Sequence, residues 1–354
     1  VLMAELLIGR ATKSNVVDAL DQISKGRSGR YVGICGLITV SLILAFYGIV
    51  GGWMLAHAVE ALASLAGFTS LAEWLVSFSL SRNIIFCALF MFLTVGIVSG
   101  GVVNGIERWS VRLMPTLFVI LVLLFAYVMT QQGAMEGLKV YLLPDFAEAL
   151  NPDLLISAMG QAFFSMSLGV GTMLIYGSYV SQKENLPRLG AAVSLVDIGV
   201  AVLAGLLIIP AMYVALHNGV QIFSESGQLL AEDTLIFTVL PSLFSTMGMV
   251  GLLVSLAFFL LMSIAALTSS ISMLEVPVSY MVEHRKIARQ KSVWLVAAII
   301  FAASLVIIFN FDSLFGFVIT LTTRYSQPLL GLMLCIFAGW VWKRNEILQE
   351  LKKA

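Results

Sequence analysis

Residues 153–179 read DLLISAMGQAFFSMSLGVGTMLIYGSY, with a single charge, at Asp153. The run exceeds the ~20 residues an α-helix needs to cross a hydrocarbon core about 30 Å thick. Its middle is unlike its ends. Within SMSLGVG, Ser165, Ser167, Gly169 and Gly171 alternate, directly after Phe163 and Phe164. Glycine in mid-helix costs backbone entropy, and serine hydroxyls compete for backbone partners. Lipid offers the backbone no hydrogen bonds, so a spanning helix unwinds only where protein covers the break or the break lines a cavity. Two readings of Gln161–Gly171 follow. One is a discontinuous helix whose break serves a substrate and ion site near the membrane midplane. The other is close helix packing through small residues.

The remainder of the chain supports a membrane setting. Of 354 residues, 60% are apolar and 11% charged, and the mean hydropathy is +0.99. That is too little charge to cover a water-exposed surface of this size. The period-2 alternation of a membrane barrel is absent, so the fold class is all-α. Eight spans are predicted near 30–64, 83–103, 110–131, 153–179, 189–216, 246–281, 292–310 and 314–343. Several exceed the minimum, which allows tilt. The opening VLMAELLIGR, residues 1–10, is about half a spanning length and begins without Met, so it reads as a partial span of an internal fragment.

Charge sets the topology. One set of connections holds Arg10, Lys13, Lys25, Arg27 and Arg30, then Arg108 and Arg112, then Lys183 and Arg188. It continues with Arg285, Lys286, Arg289 and Lys291, and closes with Lys343, Arg344, Lys352 and Lys353. This side takes 17 of the 20 basic residues and is expected to be cytoplasmic. The other side holds Arg82 and Lys139 against Glu73, Glu136, Asp145, Glu148, Asp153, Glu225, Glu232, Asp233 and Asp312. The connection 216–245 carries the apolar stretch TLIFTVLPSLF, broken by Pro241, which is too short to span. It is predicted to form external helices that cap the bundle as a lid.

Polar residues inside the spans carry the functional questions. Asp197 lies in AAVSLVDIGVAVLAGLLIIP. An intramembrane carboxylate costs roughly 2.5–3.5 kcal/mol on insertion scales, which a bound Na⁺ or proton would offset. Alternatively, Asp197 is close enough to Arg188 to reach cytoplasmic water. In SIAALTSSIS, Thr268 and Ser269 follow Ala265 by about one turn. Hydroxyl and carbonyl oxygens suit Na⁺, and they also serve as polar glue between helices. Glu275 and Arg324 are further polar outliers. Cys35, Cys87 and Cys335 have no metal or redox spacing, and His57, His217 and His284 no ligand spacing. Without a GxSxG, HExxH or P-loop pattern or a basic tract, neither an enzyme nor a nucleic-acid partner is suggested.

These features, in this order, resemble the neurotransmitter:sodium symporter family, particularly its bacterial amino-acid transporters. The resemblance runs through ELLIGR, FYGIVGGW (46–53), NGIERWSVRLMPTLF (104–118), GQAFFSMSLGVG and AALTSSISM. It implies an inverted-repeat symporter bundle with discontinuous helices, here lacking the first helix, most of the second and one or two at the end. The substrate would be a small neutral, hydrophobic amino acid, moved with Na⁺ across the plasma membrane (the inner membrane of a bacterium) by alternating access. Position by position, Tyr47 would bind the substrate carboxylate and Phe164 would be the aromatic lid. Ile43, Ser167, Val170 and Met273 would line the side-chain pocket. Ser165 and Asp197 would serve one sodium site, and Ala265 (carbonyl), Thr268 and Ser269 a second.

Two departures matter. Asp197 stands where many relatives have Asn, and a fixed carboxylate there implies that chloride is not required. A gapless placement puts Ile319 where many relatives carry an acidic outer gate. A receptor-like or regulatory membrane protein of the same fold, without transport, is the alternative. A channel is a third reading, which broken helices and a buried Asp disfavour.

Overall fold

The computed structural model describes residues 1–24, 27–101, 108–143, 150–223, 235–245 and 247–351. Lys25, Lys352, Lys353, Asp145, Glu148, Glu225, Glu232, Asp233, residues 104–107 of the 104–118 join and 224–234 of the lid region lie outside these. The chain begins with α1 (Leu2–Thr12), α2 (Val16–Ser24), α3 (Arg27–Leu65), α4 (Thr69–Val76), α5 (Leu80–Ser99), α6 (Arg108–Val128) and α7 (Ala134–Leu142). Next come α8 (Pro152–Ser165), α9 (Thr172–Tyr179) and α10 (Leu186–His217). A π-helical turn at Leu235–Val239 leads into α11 (Leu240–Ser245), then α12 (Gly248–Glu283) and α13 (Arg289–Phe309). The last stretch is α14 (Phe311–Ile319), α15 (Gln327–Ile336) and α16 (Arg344–Leu351), with π turns at Thr320–Ser326 and Phe337–Val341 between them.

Among the described residues, α3, α5, α10, α12 and α13 are long and apolar enough to cross a membrane as single helices. With 39 residues, α3 is about 58 Å long at 1.5 Å per residue. That is nearly twice the hydrocarbon thickness, so its ends project beyond it. The run 153–179 divides into α8 and α9 around an unwound segment, Met166–Gly171. From Phe311 to Val341 the helix is continuous but widens twice into π geometry. The first widening precedes Pro328, which has no N–H to give the preceding turn and whose ring would crowd it.

The core lies between α3 and α12, the most extensively packed pair. Ala45, Ile49, Phe259, Leu274 and Val276 are fully buried. Small residues also let α5 approach α3: a Cβ on Gly52 of α3 would come within 2.7 Å of the Cys87 backbone nitrogen in α5. Hydroxyls cross-link the helices, Ser304 donating to the Ala45 carbonyl at 2.8 Å and Thr94 pairing with Ser270 at 2.8 Å. Phe92, Leu253, Trp294 and Ile299 point outward as a lipid-facing surface.

The basic connections gather at one end of the bundle. Arg10, fully buried, bonds Glu350 of α16 and the Glu184 carbonyl after α9, each at 2.6 Å. Lys13 caps the carbonyls of Ser178 and Val180, and His284 meets Asp18 at 2.7 Å. The π turn and α11 of the 216–245 connection lie elsewhere, with Phe237 against Trp53 (5.4 Å) and His57 (5.2 Å). His57, fully buried, donates its Nδ1–H to the Trp53 carbonyl at 2.8 Å, a packing role. Arg82, expected in a connection, is fully buried, with the Leu75 carbonyl at 2.8 Å and the Phe78 ring at 4.6 Å.

Candidate functional site

Between α8 and α9 the backbone leaves helical geometry, with positive φ at Ser167 (+51°), Gly169 (+82°) and Gly171 (+81°). Glycine enters this region without steric cost, which explains the GVG spacing. The backbone groups freed by the break need new partners. Glu5 of α1, wholly buried, accepts from the Gly169 N–H at 2.6 Å and the Leu174 N–H at 3.3 Å. Its carboxylate thus sits at the start of α9, where the helix dipole favours negative charge. From the opposite side, the Gln327 amide of α15 donates to the Leu168 carbonyl at 3.2 Å and the Phe163 carbonyl at 3.4 Å.

Against the break lies a cavity of about 240 Å³ lined by Ile43 and Tyr47 of α3, Gln161, Phe164 and Ser165 of α8, Ser167 and Val170, Ser269 and Met273 of α12, and Gln327. All six residues expected to contact a substrate (Ile43, Tyr47, Phe164, Ser167, Val170 and Met273) therefore face one space. The Tyr47 hydroxyl lies against the Ser269 side chain. Phe164 stacks with Phe46 at 6.5 Å and tilts against Tyr47 at 6.4 Å. Phe46 in turn meets Phe315 of α14, and Phe315 meets Trp53, so aromatic rings run from the cavity toward the lid region.

The five residues expected at ion sites fall into two groups. Ser165 donates to the Asp197 carboxylate of α10 at 2.8 Å, and among the described residues no basic side chain pairs with Asp197. Thr268 donates to the Ala265 carbonyl at 2.8 Å. Here α12 keeps regular helical geometry, so that carbonyl is shared with a hydroxyl and not freed by loosening. Ser165 and Ser269 line the cavity, whereas Asp197, Ala265 and Thr268 are not part of its lining. Among the described residues no group of three His, Cys, Asp or Glu could hold a metal ion. The available donors are hydroxyls, a carbonyl and one carboxylate, which is hard-oxygen chemistry suited to an alkali cation.

Comparison with known proteins decides the family. The model of the sodium:neurotransmitter symporter family matches residues 76–354. The chain belongs to that family. It is 32% identical over 366 aligned positions to the "uncharacterized sodium-dependent transporter YhdH" of Bacillus subtilis, covering 99% of this chain and 78% of the relative. An "uncharacterized sodium-dependent transporter" of Haemophilus influenzae is 30% identical, covering 85% of this chain and 66% of the relative. Among solved structures, MhsT in complex with L-phenylalanine superposes with a TM-score of 0.86 at 33% identity, covering 99% of this chain and 80% of MhsT. The protein is thus a sodium-dependent, multi-pass transporter of the plasma membrane, and not an enzyme.

In this symporter, the end of the bundle opposite the lid region is tied across four helices. Arg289 of α13 binds Glu275 of α12 through two nitrogens, at 2.6 and 3.0 Å, and the Val98 carbonyl of α5 at 3.0 Å. Tyr179, the last residue of α9, donates to the same carboxylate at 3.0 Å. Glu275 thereby finds its partners, while Arg324 lies exposed in the π turn before α15. Sequence reading gave no role to Glu5 or Gln327. Glu5 carried a usable signal, being a lone carboxylate in an apolar run. Gln327 carried little, because a neutral amide beside a proline does not stand out.

Proposed function

We propose that this protein carries a small neutral, hydrophobic amino acid into the cell together with Na⁺ by alternating access. The observation that supports it best is the convergence of Ile43, Tyr47, Phe164, Ser167, Val170 and Met273 on one cavity beside a break in a membrane helix. A cavity of about 240 Å³ admits a single amino acid, and its Ile, Val, Met and Phe side chains favour an apolar one. The L-phenylalanine bound by MhsT agrees with that class.

Tyr47 offers its hydroxyl to the substrate carboxylate, and Phe164 covers the substrate from the side of the aromatic run. The Ser165–Asp197 pair holds one Na⁺, with the substrate carboxylate as a shared ligand, which couples ion to substrate. The Ala265 carbonyl with Thr268 and Ser269 supplies oxygens for a second Na⁺. Because Asp197 already provides a fixed negative charge opposite the cation, chloride is not needed. Loading strengthens contacts across the break. Exposure then passes from the lid-region side to the side closed by Tyr179, Glu275 and Arg289.

The test is uptake of a radiolabelled apolar amino acid by the full-length protein in proteoliposomes, with external Na⁺ or with choline in its place. Uptake is expected with Na⁺ and only at background with choline. Equal uptake in the two media would sink the coupling.

A further inference from the structure

Gln327 opens α15 and is 1% exposed, yet it lines the cavity. Its amide nitrogen is committed to the carbonyls of Leu168 and Phe163. Those bonds fix which way the amide faces, because turning it over would set its oxygen against two carbonyl oxygens. The helix packs closely on the break, and the two meet glycine to glycine. A Cβ on Gly169 would strike the Gln327 backbone, and one on Gly331 would strike the Phe163 ring. The amide oxygen, Oε1, is buried and has no hydrogen-bond partner. Ile43, Phe164, Val170 and Met273 have no side-chain donor, and the donors that do line the cavity, on Tyr47, Gln161, Ser165, Ser167 and Ser269, make no bond to it. A buried acceptor left without a donor is unfavourable, and on a residue that lines a binding cavity a donor on the occupant would satisfy it.

We infer that Gln327 is a specificity-determining residue whose Oε1 accepts a hydrogen bond from an N–H or O–H on the substrate side chain. The preferred substrate is then an apolar amino acid whose side chain carries one such donor, in preference to its hydrocarbon isostere. This rests on the amino-acid reading of the cavity given above.

The experiment is competition for Na⁺-driven uptake in proteoliposomes of the full-length transporter, using matched pairs: tyrosine against phenylalanine, tryptophan against 3-(1-naphthyl)alanine, threonine against valine. The donor-bearing member of at least one pair is expected to compete about two- to tenfold better, the range of one neutral hydrogen bond. In Gln327→Leu, or in Gln327→Met should the first not fold, that ratio falls to near one, because the donor-bearing member loses more affinity than its hydrocarbon isostere. Absence of any preference in the wild type overturns the inference. So does an equal loss for both members of the pair, which would mark Gln327 as a support of the break alone. A wild type without Na⁺-dependent uptake of any amino acid would instead overturn the functional reading beneath it.

Discussion

A carboxylate on a membrane-spanning helix needs compensation, and half-buried Asp197 accepts from the Ser165 hydroxyl at 2.8 Å and pairs with no basic side chain among the described residues. A single hydrogen bond does not offset the desolvation of a charge. A monovalent cation beside Ser165 would do so. Asp197→Asn keeps an oxygen for Ser165 but removes the charge, so the fold should survive. The Na⁺ concentration for half-maximal uptake is expected to rise about tenfold, roughly 1.4 kcal/mol of lost ion attraction, and uptake should become sensitive to chloride. An unchanged Na⁺ response without chloride sensitivity would remove Asp197 from the ion site. Asp197 and Ser165 could be picked out from sequence because charge and hydroxyls are conspicuous in apolar runs. Their 2.8 Å contact was not legible, since it depends on how α8 and α10 pack. Glu5 and Gln327 escaped for the same reason: their roles exist only where they meet backbone groups 164 and 159 residues away.

Among the elements, the break between α8 and α9 is where local chemistry and tertiary structure agree. SMSLGVG announces it through glycine at alternate positions, and the chain takes left-handed geometry at Gly169 and Gly171. Gly169→Ala adds a side chain at φ +82°, costing about 1–2 kcal/mol for the conformation alone. It also drives the new methyl into the backbone of α15. Na⁺-dependent uptake should fall by about tenfold or more, with the protein still present in the membrane; near-normal uptake would show that the break tolerates a different shape. The tie at the other end makes a second, asymmetric prediction. Glu275 is 1% exposed and Arg289 28%. Arg289→Ala leaves a buried carboxylate without its counter-charge, held by the Tyr179 hydroxyl, while Glu275→Ala leaves a guanidinium that still has the Val98 carbonyl and partial access to water. The first should lower stability by about 1–2 kcal/mol more than the second, as read from thermal unfolding in detergent; the reverse order would contradict the burial of Glu275. The π turns at Thr320–Ser326 and Phe337–Val341 had no such announcement, because hydropathy is blind to how tightly a helix is wound.

For the whole molecule, the basic connections decide which way the bundle faces. Arg10, Lys13, Glu184, Asp18 and His284 meet at one end, although they come from parts of the chain more than 260 residues apart. Hydropathy alone could place the helices but not orient them; the bias of Lys and Arg toward one set of connections does both, because such residues resist translocation. Asn218, exposed just after α10, and Arg285, exposed just after α12, belong to opposite sets. The described residues include three free cysteines, Cys35, Cys87 and Cys335, which would first be replaced by serine or alanine to clear the background. In that form, Asn218→Cys should react with a membrane-impermeant maleimide on intact cells, and Arg285→Cys only after the membrane is permeabilised. Both reacting from outside would break the alternation. The reversed pattern would turn the transporter over, and with it the direction in which the inward Na⁺ gradient drives the substrate.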